Sequence, residues 1–240
     1  MRVWDIHPGY LSRQSLLGQH AEIHALYSVI TGGGKGYASH PETLRWEKHT
    51  DLLRARHDLT VKEMRLRGFK HTSPMGTPGE GSPEKLKYVD PPGRQLALLK
   101  EKYARKDQQG RIPLPQKGSA FWAHYEYSIM GRGLLYHGEM QQFLRGRKDY
   151  PVEEDHELIQ KIFAYMEYQP TDKSWRNLIN HLWGCFNYIS SAAEREAFGD
   201  LNKKTPSGAQ MDYLYSLAEK YNQQHLLYST VFADFASGDF

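Results

Sequence analysis

Two groups near the start of the chain could do chemistry together: the α-amine of Met1 and the carboxylate of Glu22. An α-amine titrates at about 7.7–8.0 in model peptides, so it can gain or lose its proton near neutrality. Arg2 follows Met1, and a side chain that large blocks removal of the initiator, so the mature chain is expected to keep the free amine of Met1. A second set is His20 and His24, four residues apart, with His7 as a third candidate ligand for one metal ion. The spacing fits a zinc hydrolase poorly. In that motif the glutamate directly follows the first histidine, whereas Glu22 follows His20 by two and points to another side of a helix. A third stretch, TGGGKGYASHPE, has glycines at 32, 33, 34 and 36 around Lys35, which could meet a phosphate. It lacks the preceding strand and the Gly-Lys-Ser/Thr ending of a phosphate loop, so it reads as a flexible loop, either a plain connection or one lying against a nucleic-acid backbone.

The elements that must position these groups can be read from periodicity. Ser12 is suited to cap a helix whose apolar positions Leu16, Ile23, Tyr27 and Ile30 recur at helical spacing. Glu22 lies off that stripe. Around it stand Ser15, Gly18, Ala21 and Ala25, a shallow trough of small side chains that either lets another helix pack closely or lets a ligand approach. Pro41 opens a further helix through Trp46, Leu53, Val61 and Met64, interrupted by a short turn and ended at Gly68. HTSPMGTPGEGSPE is a loop by composition, and a helix follows from Gly93 with Leu96, Leu99 and Tyr103 on one side. GRIPLPQKG closes the section, with the junction expected near Arg111 to Gln116.

From Ser119 the texture changes to three or four aromatic-rich helices. Lys173, Asn177 and His181 form a polar stripe at one-turn spacing, read as a buried hydrogen-bonding network, with a second nucleic-acid or ligand surface as the alternative. The chain has 240 residues, enough to bury a core as one large or two small domains. Its net charge of +3, with twelve histidines besides, permits a nucleic-acid partner without demanding one. The single Cys185 rules out an internal disulfide, and no apolar run approaches the roughly 18 residues of a membrane helix. No charged-then-apolar leader is evident, so a cytoplasmic location is expected.

The runs RQSLLGQHAEIHAL and RHDLTVKEMRLRGFKHTSP resemble the pyrimidine-dimer DNA glycosylase family, the endonuclease V-like enzymes of phage and bacteria. The resemblance covers roughly residues 1–117. Residues 118–240 resemble the YbgA-like domain of unknown function through Trp122, His124 and Met130 and through Lys173, Asn177, His181, Leu182, Gly184 and Phe186. The resemblance implies an all-α protein of two helical domains. It implies Met1 as the amine nucleophile and Glu22 as its acidic partner, in a DNA N-glycosylase with AP-lyase activity on pyrimidine dimers or another modified pyrimidine. No metal or organic cofactor is then needed, and the partner is double-stranded DNA carrying a damaged base, with a monomer favoured and no membrane involved.

Carried over residue by residue, Arg2 matches a phosphate-contacting arginine and Gln14 a glutamine ahead of the glutamate. Ser15 stands where the family usually has histidine and Ala21 where it usually has arginine, which thins the DNA contacts. Ser15, His20, His24 and Lys35 complete the expected DNA-contacting set. The alternatives are a non-catalytic nucleic-acid-binding protein on the same fold and, more remotely, a metal-dependent hydrolase.

Overall fold

A computed structural model describes the whole chain except residues 33–35, 78, 80, 107 and 238–240. The fold is all-α, as the periodicity and the resemblance both led one to expect. Among the described residues there is no strand, only an isolated bridge between Lys117 and Pro151. No described helix is long and apolar enough to cross a membrane. The chain divides into two compact units, the first Met1–Leu114 and the second from Pro115 onward.

In the first unit, α1 (Arg13–Gly32), α2 (Pro41–Trp46), α3 (Thr50–Leu66) and α4 (Pro92–Ala104) surround an irregular N-terminal segment. Ser12 Oγ accepts the Ser15 N–H at 3.3 Å and so caps α1, while Leu16, Ile23 and Leu26 bury its apolar face. α1 packs on both α2 and α3. The turn between α2 and α3 falls at residues 47–49, and Gly68, with φ of 76°, closes α3 in a left-handed conformation that a side chain resists. Just before the division, Ile112 is fully buried in the first unit and its N–H donates to Gly9 O at 2.9 Å.

The second unit is built round α5 (Gly118–Arg132), which packs on α6 (Leu134–Leu144), α7 (His156–Met166) and α8 (Asp172–Gly184). The chain then continues through α9 (Ala192–Asn202), α10 (Gly208–Lys220) and two short helices, α11 (Gln224–Leu227) and α12 (Val231–Phe235). More helices form than the aromatic runs suggested, because capping boxes at Thr171, Ser191 and Ser207 start new helices inside them. The reading of Lys173, Asn177 and His181 as a buried network is corrected. Lys173 and His181 are exposed and Asn177 is half-buried, because α8 turns the adjacent row of Ser174, Leu178 and Leu182 inward. Two rows one residue apart compete for the core, and the apolar one wins on transfer free energy.

Candidate active site

Residues 3–12 are buried throughout yet form only one short 3-10 turn, Pro8–Tyr10. Buried backbone groups without a ladder must find partners elsewhere, and here side chains from four helices supply them. Gln19 accepts the Trp4 N–H at 2.9 Å and donates to Thr60 Oγ1 at 2.9 Å. Gln95 accepts the Asp5 N–H at 2.8 Å and donates to Asp5 Oδ2 at 2.7 Å. Arg45 donates to Val3 O at 3.0 Å, to Asp5 Oδ1 at 3.0 Å and to Glu42 Oε2 at 2.9 Å. Arg56 reaches Asp5 O at 2.7 Å and Ile6 O at 3.2 Å. Lower down, Arg67 donates to Leu11 O at 2.7 Å and, with Arg111, grips the fully buried Glu63. Burial alone would raise the Glu63 pKa, but Arg111 first and Arg67 second hold its carboxyl down to about 2.

This framework delivers Met1 to Glu22. The Met1 side chain packs against the cluster of Val3, Ile23, Leu26, Trp46, Leu53 and Met75, and Thr43 Oγ1 lies 3.9 Å from its sulfur. Its nitrogen then stands 4.0 Å from Glu22 Oε1. The Met1 side chain is 5 % exposed and that of Glu22 36 %, so a buried anchor carries an amine to the edge of an accessible carboxylate. Gly18, Ala21 and Ala25 beside it are exposed, and a Cβ added at Gly18 would meet nothing within 4 Å. These three small residues therefore leave an open approach to Glu22, while Ser15 at the end of the trough is buried.

The other expected residues fall in different places. Arg2 pairs with Asp90 at 2.7 Å and lies 5.0 Å from the Trp4 ring centre. Gln14 Oε1, exposed at the first turn of α1, accepts from Gln108 at 2.6 Å. Ser15 is buried and accepts from Lys102 Nζ at 2.9 Å; burial, then Lys106, lower the pKa of that ammonium. Lys35 lies outside the described residues. His7 sits by Glu63, its Nδ1 accepting the Gly9 N–H at 2.9 Å, and does not join His20 and His24.

His20 and His24 turn instead towards His57 of α3 and His71, with ring centres 4.6–5.2 Å apart in the pairs that meet. Burial and the three neighbouring imidazoles lower the His20 pKa to about 4. Burial likewise lowers the pKa values of His24 and His57. Both new members stand inside the run RHDLTVKEMRLRGFKHTSP, but nothing in their spacing relative to His20 signals the meeting.

Residues 1–77 match the family model described as pyrimidine dimer DNA glycosylase, and residues 127–236 match a family described as a protein of unknown function (DUF1722). No curated protein and no solved structure matches the chain.

Proposed function

On the premise that residues 1–77 match the pyrimidine dimer DNA glycosylase family, we propose that the protein is a DNA N-glycosylase with AP-lyase activity on a damaged or modified pyrimidine. The observation that carries the reading is the Met1 nitrogen 4.0 Å from Glu22 Oε1 beside an open trough. A base inside a duplex is out of reach, so the nucleotide must be extruded, at a cost that a distorted lesion lowers. The neutral amine attacks C1′, forming an N–C1′ bond as the C1′–base bond breaks and the base leaves with the electron pair. Glu22 faces the developing positive sugar and stabilises it electrostatically. Opening of the sugar ring leaves an iminium. Glu22 then shuttles protons while β-elimination releases the 3′ strand, and water hydrolyses the imine to restore the amine.

Borohydride trapping on a duplex with one abasic site tests this without knowledge of the base. The expected result is a covalent adduct that peptide mass spectrometry maps to the Met1 nitrogen. Absence of an adduct alongside intact strand cleavage, or an adduct on a lysine, overturns the assignment. A duplex carrying a cyclobutane pyrimidine dimer, compared with other modified pyrimidines, then tests the substrate.

A further inference from the structure

We propose that His20, His24, His57 and His71 together bind one divalent transition-metal ion of the Zn(II) type, at a structural site distinct from the amine and Glu22. One ring nitrogen from each lies within 4.8 Å of all the others. A tetrahedral ion with metal–nitrogen bonds of about 2.0–2.1 Å sets its ligand nitrogens about 3.4 Å apart. The Nε2 atoms of His20 and His24 already stand 3.3 Å apart.

Hydrogen bonding points the same way. Nε2 of His57 and Nε2 of His71 are buried and have no hydrogen-bond partner. Orphaned buried polar atoms are rare in folded proteins and call for a ligand or another explanation. Two of the rings are oriented from behind as metal-bound imidazoles usually are: Asp58 Oδ1 is 2.9 Å from His57 Nδ1, and the backbone of Ser73 hydrogen-bonds His24. Packing of four aromatic rings alone would not need their nitrogens gathered or their outer edges braced.

Topology says what the ion would do. α1 supplies two ligands, α3 one, and the segment after Gly68 the fourth. That segment has no regular structure of its own. It is held further along by Arg54, which donates to Met75 O and Gly76 O at 3.0 Å, and by Tyr27, whose hydroxyl donates to Thr77 O at 2.8 Å. Met75 lies in the cluster against which Met1 packs. A metal clasp at His71 thus pins the stretch that carries Met75 under the nucleophile's anchor. Four protein ligands close a tetrahedral ion and leave no position for water, which fits a structural role and not hydrolysis. Four imidazoles without thiolate or carboxylate suit Zn(II), Ni(II) or Cu(II) better than Mg(II) or Ca(II).

The test uses the untagged full-length protein, stripped by chelator and titrated with Zn(II) against a chromophoric competitor. One ion per chain is expected, together with the strong visible absorption of tetrahedral Co(II) when cobalt is added instead. Asp58→Asn, which leaves all four ligands in place, should weaken Zn(II) binding roughly 10–100-fold by loosening the His57 ring. His71→Ala should weaken it further and abolish the tetrahedral cobalt spectrum. Failure of folded wild-type protein to take up Zn(II) or Co(II) overturns the proposal. So does a weak octahedral cobalt spectrum, or unchanged Zn(II) affinity in Asp58→Asn. These readouts report on the metal alone, so the proposal stands or falls independently of the glycosylase reading.

Discussion

In the proposed mechanism Met1 has two jobs, and they belong to different atoms. Its thioether is an apolar anchor among Val3, Trp46 and Met75, and its nitrogen faces Glu22. A long unbranched side chain fills an irregular gap at little strain, so methionine suits the anchor. Glu22→Gln keeps the shape of the carboxylate but deletes its charge. Strand cleavage at an abasic site should fall by about 10²–10⁴-fold, in the range of lost acid–base and electrostatic catalysis. Duplex binding, measured by fluorescence anisotropy, should change little. A residue added before Met1 moves the amine by up to about 3.5 Å, far beyond near-attack geometry. Borohydride trapping should then be lost while binding persists, and a tagged protein that is still trapped would point to a lysine.

At the scale of elements, the decisive part is the buried segment from Val3 to Ser12, which has no ladder of its own. It is threaded between helices by Gln19 of α1, Arg45 of α2, Arg56 of α3 and Gln95 of α4. Each of these four helices thus contributes at least one side chain to holding this segment. Gln95→Leu retains the volume but leaves the buried Asp5 N–H without its acceptor. Unfolding by urea should show a loss of about 1–3 kcal/mol, the usual cost of an unsatisfied buried group. Single-turnover cleavage should slow as well, because the segment that aims the amine is loosened. Full activity in a destabilised Gln95→Leu protein would show that the amine is positioned without this contact.

Across the whole first unit, the ion triad of Glu63, Arg67 and Arg111 ties α3 to the start of the chain and to its last residues before Leu114. Glu63 is fully buried and its carboxyl is held at about 2, against an ordinary value of 4.5. A folded-state pKa lowered in this way contributes stability that is complete above about pH 4.5 and is lost as pH falls towards 2. Thermal unfolding between pH 6 and pH 2 should therefore show a steep acid limb. Glu63→Gln should flatten that limb and cost about 3–5 kcal/mol at neutral pH, since it strands two guanidinium groups around a neutral amide. An acid limb of equal slope in the variant would assign it to other carboxylates.

Local chemistry was legible in the one-dimensional chain wherever a single helix carried it. The helical class, the Ser12 cap, the break between α2 and α3, and Gly68 as a terminator all depend on residues within a few positions of one another. So does the exposure of Glu22 off the apolar stripe of α1, because a 3.6-residue period states which side chains share a face. What that period cannot state is which face the rest of the molecule will cover, or what a distant segment brings to it. Lys173 and His181 turned outward because an adjacent apolar row on α8 competed for the same core. His7 stood close to His20 in the chain yet went to Glu63, while His57 and His71, far along it, met His20 and His24 in space. That meeting exists only because α3 packs on α1 and the segment after Gly68 folds back against both; it is a product of tertiary packing, where the energy of burial, and not sequence distance, decides which side chains become neighbours.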